Sequence, residues 1–288
     1  MAALQSLRPA VGGVVRNPIL VLITALYGLF QLPNLLVQST SPVLASAISL
    51  VTFGVMILVL PFFQGGMLGM ADEAIAGETR LGTLVAVGKA NYVPLLLGYF
   101  VLLAVNMVFG FIAFMGVLIV VIGGSVAGMD GSGMGGAGAG VEAPAVGFDP
   151  TLLVIVGVVA VGLVLAYLLV TFFVQFYAHA VVLDDTELVD GFRRSAGLVR
   201  SNLLSVFGYT ALLTVGGVII GVLAAAGSLV FGPQQPAGSP FAEVVSIEPT
   251  PAVVAALALG YVLLTGVAGA FYATYSVAFY RRISGTAA

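Results

Sequence analysis

SAGLVRSNLLSVFGY, residues 195–209, sets a cation, a small residue and an asparagine (Arg200-Ser201-Asn202) directly in front of a long apolar run. AVGKANYVPLLLGY, residues 86–99, repeats the arrangement with Lys89-Ala90-Asn91, and VGGVVRNPILVL, residues 11–22, shortens it to Arg16-Asn17-Pro18. Upstream of each junction, apolar residues recur at helical spacing: Leu4, Leu7, Val11 and Val14; Leu81, Leu84, Val85 and Gly88; Leu188, Phe192 and Val199. That spacing gathers them on one face of a short helix. In the third segment Asp190 is placed to pair with Arg194, four residues on. The junctions stand 73 and 111 residues apart (16 to 89, 89 to 200). They predict three pseudo-repeated units, each an interfacial amphipathic helix followed by a two-span hairpin.

Composition says what the apolar runs are for. Sixty per cent of the 288 residues are hydrophobic and 7% are charged, with a mean hydropathy of +1.18. A soluble domain carries roughly a quarter of charged residues. Six apolar segments, about 18–37, 43–70, 92–124, 151–183, 203–231 and 251–280, are long enough to cross a bilayer at ~1.5 Å rise per residue. The expected fold is all-α: a polytopic membrane helix bundle of six transmembrane helices, forming a single integral membrane domain over 1–288. Arg8 and Arg16 ahead of the first run, with Ala45-Ser46-Ala47 beyond it, imitate a signal peptide. The run exceeds the usual ~7–15-residue apolar region and a second span starts at the supposed cleavage site, so the segment is read as retained.

Orientation follows from the basic residues. With six alternating spans, one side receives segments 1–17, 71–91, 184–202 and 281–288, which hold all nine Lys and Arg. The opposite loops hold none, and carry Asp130, Glu142, Asp149, Glu243 and Glu248. The positive-inside rule then predicts both termini cytoplasmic in the cell membrane. The outer loop 125–150 is Gly-rich and expected to be flexible. Eight Arg to one Lys, together with the acidic outer loops, give a halophile-like composition.

Each part of a junction has a physical role. The apolar face of the short helix lies in the headgroup boundary, and a basic residue there gains about 1 kcal/mol from anionic lipid. The asparagine is expected to cap the following helix by accepting from its free amides, with Pro18 needing no amide partner. Arg16, Asn17, Lys89, Asn91, Arg200 and Asn202 are therefore the candidate site, as a structural junction or a lipid-headgroup contact.

The stretch AVVLDDTELVDGFRRSAGLVRSNLLSVFGY, residues 180–209, resembles the membrane domain of glycerophosphodiester phosphodiesterases and its uncharacterised polytopic relatives. The resemblance rests on the acidic turn Asp184-Asp185, then Gly191-Phe192, Arg194-Ser195 and Arg200-Ser201-Asn202, while Ala196 stands where many relatives carry Trp. It implies a membrane fold of three hairpins. It implies no reaction, because in that family the phosphodiesterase chemistry belongs to a separate soluble domain.

Catalytic chemistry has little to draw on. There is one histidine, His179, and no cysteine, so hydrolytic triads and thiolate sites lack their residues, and no P-loop, H-E-x-x-H or G-x-S-x-G occurs. Asp184, Asp185, Glu187 and Asp190 have the oxygens for a hard cation, but Asp184 and Glu187 also have capping-box spacing, the commoner use; Asp72-Glu73 is read likewise. No cofactor or metal is expected, and a net charge of -3 gives no footing for nucleic acid. The partners expected are the lipid bilayer and a neighbouring membrane protein. The function predicted is a non-enzymatic membrane scaffold or accessory subunit. The alternative is a transporter or binder of a small neutral solute or lipid, using amides such as Asn106 and Gln64 and the tyrosines in or near the spans. Gly65, Gly66 and Gly69, and Gly157, Gly162, Gly216 and Gly217, are expected to let helices approach closely.

Overall fold

The computed structural model describes residues 2–37, 42–130, 150–231 and 250–285, and every regular element among them is helical. In chain order these are α1 (Ala2–Arg16), α2 (Pro18–Val37), α3 (Pro42–Ala76), α4 (Leu81–Ala90), α5 (Tyr92–Asp130), α6 (Pro150–Val174), α7 (Tyr177–Leu183), α8 (Leu188–Ser201), α9 (Leu203–Phe231) and α10 (Pro251–Ile283). Proline starts helices where its missing amide costs nothing. Pro18 opens α2, and Pro251 opens α10 behind Thr250, whose hydroxyl accepts from the Val253 amide at 3.4 Å.

Five stretches are long and apolar enough to cross a membrane: Ser46–Ala76, Tyr92–Leu118, Val154–Leu183, Leu203–Val222 and Ala258–Ile283. A sixth is added if the bent pair of α1 and α2, which turn through 86° at Asn17, is counted as a span. The chain is thus an all-helical, multi-pass membrane protein. Helices α3 and α5 run several residues past the expected span ends, and most of the loop 125–150 and all of 232–249 lie outside the described residues.

The described residues divide into two compact units, Met1–Leu97 with Phe176–Ala288, and Gly98–Gln175. In the first, α10 packs against α1, α2 and α3 along small residues. A Cβ added to Gly266 would stand 2.8 Å from the Val21 carbonyl oxygen, and one on Gly269 would stand 3.0 Å from Thr24. The Thr24 hydroxyl donates to the Gly266 carbonyl across this seam. Helix α4 lies on α3 in the same way. A Cβ on Gly66 would come within 2.4 Å of the Leu84 carbonyl oxygen, and one on Gly88 within 2.6 Å of that of Phe62. Close backbone approach of this kind is the usual means of helix association where the surroundings are as apolar as the side chains.

A buried aromatic cluster fills one end of this unit. Phe176 stands 5.5 Å from Tyr209 and 5.8 Å from Phe279 between ring centroids, and Tyr209 stacks on Phe279 at 4.4 Å. Such pairs add ~0.5–1.5 kcal/mol each beyond the area they bury.

The second unit contains α5 from Gly98 onward and α6. Phe109 and Tyr167 meet edge to face at 5.5 Å, and the Tyr167 hydroxyl donates to Asn106 Oδ1 at 2.8 Å. Apart from Gly98 itself, none of its residues whose side chains are described is buried. A helix apolar on every side needs lipid or another protein around it. The glycines expected to bring helices together differ in outcome: Gly65, Gly66 and Gly69 do so, whereas a Cβ on Gly157, Gly162, Gly216 or Gly217 would meet nothing within 4 Å. The first group faces a short helix, while the second lies on the spans that pack least.

Candidate functional site

All three predicted junctions are corners between a short helix and a long one. Asn17 joins α1 to α2, Asn91 joins α4 to α5, and Asn202 joins α8 to α9. Each asparagine makes the same local bonds. Its backbone N–H donates to the carbonyl four residues back at 3.1 Å: Gly13, Val87 and Leu198. Its side-chain Nδ2 donates to that same carbonyl, at 3.0, 3.1 and 3.1 Å. Its own carbonyl then accepts an amide from the first turn of the next helix, from Leu20 at 3.1 Å, Leu95 at 3.1 Å and Val206 at 2.9 Å.

This corrects the expected direction of capping. The side chains close the helix behind them instead of accepting from the helix ahead. Accepting as an N-cap requires an extended backbone, but Asn91 (φ -101°, ψ 9°) and Asn202 (φ -127°, ψ 30°) have ψ far from extended values. A side chain so placed lies back over the preceding turn and gives the carbonyl there a second donor.

The basic residues occupy the last turn of each short helix, the end at which a positive charge is favoured. Their surroundings differ. Arg16 donates through Nη2 to the carbonyls of Ala74 and Ile75 at 3.4 and 3.3 Å, closing the end of α3. Lys89 and Arg200 are exposed and, among the described residues, have no hydrogen-bond or ion-pair partner. The short helices turn small residues inward and large ones outward. In α1 the buried positions are Ala3, Ser6, Ala10 and Gly13, while Leu4, Val11 and Val15 are exposed. In α8 they are Gly191, Ser195 and Val199, so the Leu188 and Phe192 part of its apolar face is only half-buried.

A polar cluster that sequence reasoning did not assemble ties the short helix of the third corner to α3 and α10. Asp184 Oδ2 accepts from Arg194 Nε at 2.6 Å and from the Tyr280 hydroxyl, and its Oδ1 lies 3.9 Å from Arg281 Nη1. Arg281 in turn forks onto Asp72, Nε to Oδ1 at 2.8 Å and Nη2 to Oδ2 at 2.7 Å. Two carboxylates and two guanidiniums thus join α3, the α7–α8 turn, α8 and α10 with no net charge. Hydrogen bonding to Tyr280 and the adjacent Asp184 charge outweigh partial burial and raise the Arg194 guanidinium further above its ordinary value. Asp184 does not cap α8, and its oxygens are occupied by these partners. The predicted Asp190–Arg194 pair is also replaced: Asp190 meets Arg193 at 3.2 Å, because Arg194 is turned toward Asp184. Glu73 accepts instead from the Thr79 and Thr83 hydroxyls at 3.0 and 2.7 Å.

His179 is 6% exposed, with its ring against Phe176 at 5.6 Å and Tyr280 at 5.4 Å. Neither ring nitrogen has a hydrogen-bond partner. The ring packs as part of the aromatic cluster, and among the described residues no group of His, Asp and Glu could hold a metal ion.

Compared with known proteins, residues 1–283 match the model of a family described as Domain of unknown function (DUF7847). No curated protein and no solved structure matches the chain. With nearly its whole length matched, the chain belongs to the DUF7847 family.

Proposed function

We propose that this chain is a non-catalytic membrane scaffold or accessory subunit of the cell membrane. It would have six spans in three pseudo-repeated units, with both termini cytoplasmic. The observation that carries the reading is the distribution of burial. Fixed side-chain packing is concentrated around the corners, the charged cluster and the aromatic cluster. By contrast, large apolar side chains on α5, α6 and α9 such as Phe111, Val158, Leu165 and Ile219 stand exposed. Spans that bury so little within their own chain offer their surfaces to lipid and to neighbouring membrane proteins.

The polar groups support the same reading. Asn106 and Tyr167 satisfy each other, and Asn106 Nδ2 also donates to the Leu102 carbonyl at 2.8 Å, the usual arrangement of hydrogen bonds that join spans. His179, the sole histidine, is closed off between rings. The orientation rests on the basic residues falling in segments assigned to one side, and the kinship to the phosphodiesterase membrane domain on residues 180–209; it is one of architecture.

The test is extraction in native-lipid particles with quantitative protein composition. The expected outcome is a stoichiometric second membrane protein that is lost when Val158→Trp and Leu165→Trp reshape the exposed face of α6. Particles containing this chain alone, together with solute uptake or lipid turnover by the reconstituted protein, would overturn the proposal. For orientation, cysteines placed at Ser132 and Thr286 report without background, because the chain has no cysteine. An impermeant reagent should label the first in intact cells and spare the second; the reverse pattern contradicts the assigned sidedness.

A further inference from the structure

At the second corner, α3, α4 and the start of α5 border an open groove of about 350 Å³, lined by Leu58, Val59, Phe62, Lys89, Tyr92 and Val93. That volume lies within the ~300–1,000 Å³ of small-molecule sites. The groove is apolar except at Lys89 and the Tyr92 hydroxyl. Both are polar tips without a hydrogen-bond or ion-pair partner among the described residues.

Lys89 is held at this rim by the backbone. Gly88 packs so closely on α3 that a Cβ would reach within 2.6 Å of the Phe62 carbonyl oxygen, and a Cβ on Gly65 would lie 3.6 Å from the Gly88 Cα. The lysine next to Gly88 has little freedom to leave the groove with its backbone. The first corner differs, since Arg16 is engaged with the end of α3. The one acid hydrogen-bonded to α4, Glu73, meets Thr83 in its first turn, away from Lys89 in its last.

An ammonium and a phenol at the rim of an apolar trough, at the level where a span begins, complement a molecule with an anionic head and a long apolar tail. We propose that this groove is a specific site for an anionic phospholipid. Its phosphate is held by Lys89 and Tyr92, and one acyl chain lies along Leu58, Val59, Phe62 and Val93. The site goes beyond the scaffold reading and stands independently of it.

The sequence contains no tryptophan, so a single introduced one reports cleanly. Full-length Val59→Trp in vesicles containing brominated phosphatidylglycerol or brominated phosphatidylcholine should be quenched at about fivefold lower mole fraction by the anionic lipid. That factor corresponds to ~1 kcal/mol per basic residue. Adding Lys89→Gln should bring the two lipids to parity, Lys89→Arg should restore the preference, and Val158→Trp should show parity throughout. Leu58→Trp gives the same readout where Val59→Trp does not fold. Equal quenching at residue 59 with Lys89 intact, or a preference unchanged by Lys89→Gln, overturns the proposal. Relief of quenching by dissolved inorganic phosphate also overturns it, because the site would then take a free anion.

Discussion

The first and third corners have the same local chemistry and opposite surroundings. Asn17 and Asn202 both return a side-chain amide to the carbonyl four residues back. Asn17 is 4% exposed, and it also donates to the Gly77 carbonyl at 2.9 Å and accepts from the Thr79 amide at 2.9 Å. It therefore clasps the loop between α3 and α4, some sixty residues away. Asn202 is half-buried, and its further bond goes to its neighbour Ser201. At the third corner the work of holding the short helix falls to other residues. Ser195 Oγ accepts from the Phe176 amide at 3.0 Å, and Arg194 reaches Asp184. A local signal can specify that the chain turns, while the value of the turn is set by what the rest of the molecule packs around it.

The comparison orders the expected effects. Asn17→Ala should be the most damaging, because it strands the buried Thr79 amide and the Gly77 carbonyl, while the Gly13 carbonyl keeps its backbone donor. At ~1–3 kcal/mol for a buried polar group left unpaired, the loss is about 3 kcal/mol or more. Thermal unfolding in lipid nanodiscs measures it, and a change no larger than at Asn202 would erase the distinction between the corners.

Asp184→Ala comes next. It removes the shared acceptor of Arg194 and Tyr280, at about 1.5–3 kcal/mol for hydrogen bonds to a charged group. Solvent screening of the half-exposed Arg194 places the result toward the lower figure. It should release α8 selectively, seen as faster amide exchange over 188–201 than over 2–16. Equal loosening of both short helices would show that the cluster does not belong to the third corner.

Asn202→Ala should be mildest, about 0.5–1.5 kcal/mol for one net hydrogen bond. Raising salt should leave this small loss unchanged, since no ion pair is involved.

Much of the fold was legible because lipid makes few demands and states them plainly. Span positions followed from apolar length, and the corners from three copies of a basic residue and asparagine ahead of apolar runs. What was not legible depends on tertiary placement. The direction of the asparagine bond follows from the non-extended ψ at Asn91 and Asn202, which the residue type does not specify. The pairing of Asp72 with Arg281, and of Asp184 with Tyr280 and Arg194, joins residues up to 209 positions apart. The only trace of it in the sequence is that these charges all fall at span ends on one side. Small residues on α1 pack where large apolar ones do not. Of the expected apolar face, Leu4 and Val11 are exposed and Leu7 and Val14 half-buried, while the face that packs is the row Ala3, Ser6, Ala10 and Gly13.

The central claim is that each corner turns a surface-lying helix into a membrane span. A nitroxide scan of residues 2–30, read against lipid-soluble oxygen and a water-soluble nickel chelate in nanodiscs, tests it at the corner where the bend is 86°. Residues 2–16 should alternate at constant shallow depth, with Leu4, Val11 and Val15 oxygen-accessible and Ala3, Ala10 and Gly13 shielded, and depth should increase steadily from Pro18. A depth that already increases continuously from residue 2 would mean one unbroken span and would contradict the account.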